Sequence, residues 1–397
     1  MNPWKKTFVF AFIGQICSII GFSFAFPFLP FFIEELGVTD SEMQAKWAGM
    51  IMSASGITFA LLAPVWGIAA DRFGRKAMVV RAMFGGTVIV MMMSFVQSVH
   101  QLLVCRLIQG MFTGTVSASV ALVASVTPER RSGFTLGMMQ TAVFLGMAVG
   151  PLVGGVVADY AGYRVSFRIG SSILLAGGLL VLFGTKEYFD PKAEEHKKSR
   201  QSFRQIITAS GFLAAVFVLF SIRFSNTVSN PSFPLIVKDI LGTSDRLNSV
   251  TGSIIFSVAV AGALSAALLG HFGDRWGHKR ILIVCSGGAA VISLAHFFAY
   301  SLSYLLVVRT LFGLVIAGMI PAANVIIKNS IHDSNIGKGF GLAGSLSLTG
   351  FAVGPFLGGW IAGTYGLRVP FLITGAGQFC VLLTVLFFIT PVNRRKI

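Results

Sequence analysis

Three arginines lie well inside long apolar stretches of the sequence, away from their ends, where a charged side chain is costly and is usually kept for a function. Arg106 and Arg309 occupy matching places in two similar segments, and Arg223 lies in the middle of a third stretch. Asn226 and Asn230 follow Arg223 at roughly helical spacing and share a helix face with it. Such a face is a candidate binding surface. A structural bond to backbone carbonyls or to a polar neighbour is the alternative for each arginine.

Neutral polar side chains in apolar stretches are a second set of candidates. Gln15 and Gln140 are predicted substrate contacts, with hydrogen bonding between helices as the ordinary alternative. All 15 Asp and Glu residues lie at the ends of apolar stretches or in loops. An embedded arginine without an embedded acid attracts anions and repels cations.

A short loop combines glycines with charged residues: Gly67, Asp71, Arg72, Gly74 and Arg75. A second loop repeats the pattern with Asp274 and Arg275. Gly74 lets the chain turn tightly, and the charges can form or break ion pairs when the adjoining helices move. The sequence therefore predicts a gate at these loops. The alternative is a basic loop that orients the chain in a membrane and carries an incidental acid.

Glycines at four-residue spacing form a smooth stripe on one helix face, at Gly146, Gly150 and Gly154. The stripe returns as Gly350, Gly354 and Gly358. Such a face lets another helix approach closely in lipid, and Pro151 can bend the helix that carries it. The kinked stripes are predicted to seal the cytoplasmic side of an interface that opens and closes, with ordinary close packing as the alternative.

Composition places all these residues in a membrane. Hydrophobic residues make up 54% of the 397 residues and charged residues 12%, about half the charged fraction of a soluble domain. Crossing the hydrocarbon of a bilayer takes about 20 apolar residues as a helix. The sequence predicts an all-α membrane protein with twelve such stretches, at residues 7–33, 47–69, 77–97, 100–125, 134–158, 165–186, 206–237, 249–272, 281–300, 303–327, 338–364 and 369–391.

The net charge of +16 is unevenly distributed. Most Lys and Arg residues fall in one alternate set of loops, which includes both termini and the central loop. The positive-inside rule therefore predicts that both termini are cytoplasmic. The orientation of the chain in the membrane explains the distribution of the basic residues, which can also contact anionic lipid. No nucleic-acid partner is therefore expected.

The chain repeats itself after about half its length. Pro27 and Pro30 return as Pro231 and Pro234, and the two gate loops, the two arginine segments and the two glycine stripes follow in the same order. The predicted domains are a six-helix bundle over residues 1–188, a cytoplasmic linker over 189–204 and a second bundle over 205–397. An even number of spans in each half makes the two bundles pseudo-symmetric about an axis along the membrane normal, as in secondary transporters.

These motifs resemble those of the major facilitator superfamily, over essentially the whole chain, and are most similar to its bacterial twelve-helix drug:proton antiporters. The resemblance implies that Asp71 pairs with Arg72 and Arg75 in a latch that holds an outward-open state. It also implies that Arg106 takes part in proton movement or substrate contact, that helix 7 lines the central cavity, and that the protein is a monomer. The chain departs from the pattern in one respect, because many such antiporters carry a membrane-embedded carboxylate.

The leading hypothesis is an exporter of amphipathic small molecules in the cell membrane, driven by an ion gradient, expected to be of protons. A carrier of organic anions or anionic amphiphiles is the alternative, and a sensor that binds without transport is a third. No enzyme activity is expected, because the sequence shows no nucleophile–base pairing, metal-ligand cluster or phosphate-cradling loop. No cofactor or metal is expected.

Overall fold

A computed structural model describes residues 3–187, 211–242, 244–330 and 336–389 of the chain. The predicted linker over 189–204 lies outside the described residues. The described segments are helical, with short turns between the helices.

Each helix is labelled in chain order: α1 Pro3–Glu35, α2 Ser41–Phe73, α3 Arg75–Met93, α4 Val99–Val126, α5 and α6 within Glu129–Gly184, α7 Phe212–Leu241, α8 Leu247–Trp276, α9 His278–Phe297, α10 Leu302–Lys328, α11 Ile336–Tyr365 and α12 Val369–Phe388.

The helix of 56 residues, Glu129–Gly184, counts as two membrane spans. At 1.5 Å per residue it would be about 84 Å long, far more than a bilayer is thick. Gly162 divides it with a φ of 82°, a conformation that favours glycine, so α5 covers residues 129–161 and α6 residues 163–184. Eleven described helices are long and apolar enough to cross a membrane. With this division they give the twelve predicted spans.

Several helices extend past the predicted apolar stretches. α2 begins six residues before its stretch and ends four residues after it, and α8 also continues past both ends. The apolar window marks only the part that crosses lipid, whereas the helix continues with polar residues that water solvates.

Four helices are interrupted, and their positions follow the repeat. In α1 a 3-10 turn at Phe26–Phe28 precedes a second helical piece, and α7 is interrupted between Val228 and Phe233. α4 breaks at Gly114 and α10 at Gly318. Prolines account for the first two interruptions because proline lacks a backbone N–H and cannot continue the ladder of hydrogen bonds.

The chain forms two compact units. Unit 1 comprises residues 1–39, 57–199 and 243–259, and unit 2 comprises residues 40–56, 200–242 and 260–397. In unit 1, α1 packs along α5 and α6, and α3 packs against α6. In unit 2, α7 packs on α11 and α12, and α9 packs on α12.

The two halves of the sequence repeat their polar contacts as well as their helices. Arg164 forms an ion pair with Glu35 at 3.1 Å, and Arg368 forms one with Asp239 at 2.9 Å. In both cases the partners are 129 residues apart. Each arginine also donates to a backbone carbonyl, that of Ser94 or of Ala299. These contacts tie the end of α1 to α6 in one half and the end of α7 to α12 in the other.

Candidate functional site

Arg106 of α4 lies against the interruption of α1 in unit 1. Its guanidinium carbon is 4.5 Å from the centroid of the Phe26 ring, and its Nη1 donates a hydrogen bond to Oε1 of Gln109. Arg106 is 6% exposed, and the cavity beside it measures about 10 Å³, room for about one water molecule. In this structure protein groups hold Arg106, and the cavity beside it is too small for a drug-sized molecule.

Arg309, its repeat mate in unit 2, is held in a similar way. Its guanidinium carbon lies 4.1 Å from the ring centroid of Phe233 and 5.1 Å from that of Phe371. Aromatic faces attract a guanidinium and offset part of the cost of burying it. These contacts fit the alternative in which the two arginines have a structural role. A substrate contact by Arg106 stays a prediction.

Arg223, Asn226 and Asn230 lie on α7 in unit 2. The Nε of Arg223 is buried and has no hydrogen-bond partner among the described residues. Oδ1 of Asn226 accepts a hydrogen bond from Nε2 of Gln378 on α12 at 3.4 Å, and the other amide atom of Gln378 is buried without a described partner. Asn230 lies in the interruption of α7. The first two predicted residues are therefore in a polar part of the bundle with unused donors and acceptors.

Gln15 and Gln140 have different surroundings in unit 1. Gln15 is fully buried, and neither atom of its amide has a hydrogen-bond partner among the described residues. Gln140 is exposed on α5. An unpaired buried amide is costly, so Gln15 is the better placed of the two for a polar ligand.

The first gate loop is fastened to the end of α6. Gly74 has a φ of 88° and starts α3. The carboxylate of Glu187 accepts hydrogen bonds from the backbone N–H groups of Arg75, at 2.9 Å, and Lys76, at 2.8 Å. The Nζ of Lys76 donates to the carbonyl of Thr185 at 2.7 Å. Glu187 therefore satisfies two backbone donors that a helix start leaves free, a role that the sequence analysis missed.

The remaining residues of this loop lie at the surface. Asp71 and Arg72 are exposed in the last turn of α2, where the Arg72 guanidinium carbon is 5.4 Å from the Phe73 ring centroid. A Cβ added to Gly67 would have no neighbour within 4 Å. The ion pair described for Arg75 is with Glu187, at 4.0 Å. The latch that the resemblance implies stays a prediction.

The second gate loop has the same turn. Gly277 has a φ of 94° and starts α9, and Lys279 donates to the carbonyl of Leu386 at 3.3 Å, as Lys76 does in the first half. Arg275 is exposed in the last turn of α8. The side chain of Asp274 lies outside the described residues.

The glycine stripes are contact surfaces. A Cβ added to Gly146, Gly150 or Gly154 would clash with α1, and one added to the three matching glycines of α11 would clash with α7. Beside the first stripe, the carbonyl of Pro151 lies against Gly252 of α8 within unit 1. This contact lies in the part of α5 nearer its C-terminal end, which the predicted orientation makes extracellular. The seal that the sequence predicts at the cytoplasmic side stays a prediction.

Arg81 is a further arginine within a predicted apolar stretch, and the sequence analysis passed over it. It lies on α3, and its guanidinium carbon is 3.5 Å from the ring centroid of Trp66 on α2. The sequence did contain the signal, because Arg81 falls within the predicted stretch 77–97. Because Arg81 lies near the start of that stretch, its charge was assigned to the basic loop that precedes α3.

Comparisons with known proteins agree with this architecture. The family model described as "Major Facilitator Superfamily" matches residues 11–224 and 215–397. The multi-drug resistance efflux pump PmrA of Streptococcus pneumoniae is 33% identical over 385 residues, which are 97% of this chain and 95% of that protein. The multidrug resistance protein MdtG of Proteus mirabilis is 31% identical over 379 residues, 95% of this chain and 94% of that protein.

Two solved structures share the fold. The human organic anion transporter MFSD10 (TETRAN) has a TM-score of 0.70 at 16% identity, covering 97% of this chain and 100% of that chain. The D-xylose–proton symporter has a TM-score of 0.76 at 14% identity, covering 97% of this chain and 96% of that chain. The chain has twelve spans in two matching halves, a family model matches both halves, and the relatives align over almost their full lengths. The chain is therefore a transporter that belongs to the major facilitator superfamily.

Proposed function

We propose that this protein exports amphipathic small molecules from the cell by alternating access, driven by a proton gradient. The observation that carries the proposal is the 33% identity, over 97% of the chain, to a protein named a multi-drug resistance efflux pump. The MdtG relative, whose name also refers to multidrug resistance, supports the same substrate class.

The polar groups proposed to contact the substrate are those that the helices leave unpaired at membrane depth. Gln15 contributes an amide in unit 1, and Arg223 contributes an Nε donor in unit 2. Apolar walls with a few polar groups suit amphipathic molecules.

Proton coupling is proposed to use carboxylates at helix ends. Asp159 accepts hydrogen bonds from the backbone N–H groups of Asn248 and Ser249 at the start of α8. Glu187 accepts hydrogen bonds from the backbone N–H groups of Arg75 and Lys76 at the start of α3. A protonated carboxyl group loses acceptor capacity and the negative charge that a helix start favours. Protonation at either site would therefore loosen a contact between helices.

The protein is a multi-pass integral membrane protein. The proposal places it in the cell membrane as a monomer with both termini in the cytoplasm. Its support is the excess of Lys and Arg in the loops on the side of the termini.

A carrier of organic anions is the second candidate. It is favoured by Arg223, whose Nε has no hydrogen-bond partner among the described residues, in a chain whose described carboxylates lie at helix ends or in loops. Charge of one sign at depth favours ligands of the opposite sign.

Flux through purified protein in proteoliposomes tests both candidates. Rhodamine 6G serves as the cationic probe and carboxyfluorescein as the anionic probe, each with and without an imposed pH gradient. We expect gradient-dependent flux of rhodamine 6G that a protonophore abolishes. Flux that ignores the gradient would contradict proton coupling, and flux of carboxyfluorescein alone would replace the leading proposal with the second candidate.

The Arg223→Gln variant tests the proposed substrate contact. Loss of one charge-assisted hydrogen bond is expected to raise the apparent KM for the transported probe by about tenfold. Arg168→Gln is the matched control, because Arg168 is an exposed arginine near the start of α6. Equal KM values for Arg223→Gln and the unmodified protein would remove Arg223 from the site.

A further inference from the structure

Arg81 is half-buried on α3, and two of its guanidinium nitrogens, Nε and Nη1, are fully buried. It lies about 9 Å along the axis of α3 from Arg75, as six residues of helix require. The sequence contains no Asp or Glu between Asp71 and Glu129, so neither α3 nor α4 offers a carboxylate to pair with it. Buried donors without a hydrogen-bond partner among the described residues are costly and point to a function.

The guanidinium of Arg81 keeps most of its donors free. Nη2 donates to the carbonyl of Thr113 at 3.2 Å. Nε and Nη1 are buried and have no hydrogen-bond partner among the described residues. The indole Nε1 of Trp66, whose ring lies under the guanidinium at 3.5 Å, is also buried and without a described partner. Two adjacent side chains therefore present three unused N–H-bearing nitrogens.

The interruption of α4 brings a further source of positive potential to the same place. Gly114 has a φ of 120° and precedes the helical piece Thr115–Val126, whose start has no side-chain cap. Nη2 of Arg81 is 4.0 Å from the position of a Cβ added to Gly114. The free N–H groups and the dipole of a helix start favour negative charge, which adds to the charge of Arg81.

We propose that Arg81 and Trp66 form a binding site for an oxyanion, the carboxylate or phosphate group of an amphipathic molecule. The planar guanidinium donates to the oxygens of the anion, and the indole N–H donates to one more. If the protein is an exporter as proposed above, this site specifies amphipathic oxyanions as a substrate class. The inference rests on the proposed export function only for the physiological role of the site, and not for binding itself. The head group of a membrane phospholipid has the same chemistry as a phosphate-bearing substrate.

Binding of octyl phosphate to the purified full-length protein in phospholipid-free maltoside micelles tests the site. Octyltrimethylammonium is the cationic comparison with the same chain length. Arg81→Gln is expected to bind octyl phosphate about 10- to 100-fold more weakly, with unchanged binding of the cation. Arg168→Gln, the matched arginine control, is expected to bind both probes as the unmodified protein does.

Trp66→Phe separates a binding role from a structural one. Phenylalanine keeps a ring under the guanidinium and removes only the N–H, so folding is expected to survive while octyl phosphate binds roughly three- to tenfold more weakly. This variant decides the matter if Arg81→Gln fails to fold. Unchanged octyl phosphate binding in Trp66→Phe and in a folded Arg81→Gln would overturn the proposal.

Native mass spectrometry distinguishes the two sources of phosphate. If the ligand is a head group, the unmodified protein retains a phosphatidylglycerol molecule that octyl phosphate displaces and Arg81→Gln does not retain. If it is a soluble amphiphile, octyl phosphate binds without displacing lipid, and both results support an oxyanion site. Rhodamine 6G flux by Arg81→Gln tests the export function separately, because a cation does not need this site.

Discussion

At the scale of single residues, three arginines within the helices pack against aromatic rings. Arg106 and Arg309 lie on aromatic rings, and Arg81 lies on Trp66. A ring face offers attraction without a second ion that would also have to leave water. The ring contacts leave guanidinium N–H donors of Arg81 and Arg309 without a hydrogen-bond partner among the described residues. The oxygen atoms of a ligand can accept hydrogen bonds from these donors.

Glu187 provides a prediction at the same scale. Its side chain is 7% exposed and accepts two backbone hydrogen bonds at the start of α3. Glu187→Ala removes this cap and is expected to reduce the free energy of unfolding by about 1–2 kcal/mol. Thermal unfolding of the purified protein measures the change as a lower Tm.

Glu129→Ala is the matched control for Glu187→Ala. Glu129 is also an acid in the first turn of a helix, but it is exposed, so its loss is expected to leave Tm almost unchanged. Equal Tm values for the two variants would mean that the Glu187 hydrogen bonds contribute nothing to stability.

At the scale of helices, close approach depends on the glycine stripes. In α5 a Cβ on Gly154 would clash with the backbone of Phe24, and in α11 a Cβ on Gly358 would clash with the backbone of Val228. A backbone obstacle cannot rotate away as a side chain can, so the helices must separate to admit even a methyl group.

Gly154→Ala is therefore expected to destabilise the protein by about 1–3 kcal/mol, the usual cost of overpacking. Gly137→Ala on the same helix has no neighbour within 4 Å of the added Cβ and is expected to leave Tm unchanged or to raise it. Gly358→Ala and Gly344→Ala form the same comparison in α11. A Gly154→Ala variant as stable as Gly137→Ala would contradict the close packing.

The sequence predicted the helices better than their contacts, for physical reasons. Apolar length indicated the twelve spans, and Gly162 lay between the fifth and sixth of them, where the structure bends. Which face of a helix meets which neighbour depends on packing that apolar length does not encode. The pairing of Arg81 with Trp66 was therefore invisible, and so was the placement of Pro151 against Gly252.

At the scale of the whole molecule, Asp159 fastens the start of α8 to the end of α5 within unit 1. Its carboxylate accepts hydrogen bonds from the backbone and side chain of both Asn248 and Ser249. Alternating access requires each end of the protein to open in turn. This cluster is therefore expected to break when the predicted extracellular end opens.

Asp159→Asn is expected to favour that opening, because an amide presents an NH₂ group to the donors that the carboxylate accepts. The reporter is Thr251→Cys, a buried position on α8, in a protein lacking its four native cysteines. Labelling of cells by a membrane-impermeant maleimide is expected to become about tenfold faster, as the loss of charge-assisted hydrogen bonds predicts.

Asp239→Asn is the control for this experiment. Asp239 is an acid at the same predicted end, but it pairs with Arg368 within unit 2 and not with α8. Its variant is expected to label at the unmodified rate. If Asp159→Asn also labels at that rate, the cluster does not hold this end closed.

The recurring ion pairs carry a historical consequence. Arg164–Glu35 and Arg368–Asp239 have the same separation of 129 residues and the same additional carbonyl contact. Independent origin of both is improbable, so the pair was already present in a six-helix ancestor whose gene was later duplicated and fused. Asp159 aligns with Gly363 in the other half, so the two copies differ at this position and the second half lacks the carboxylate that the first half contributes to the contact with α8.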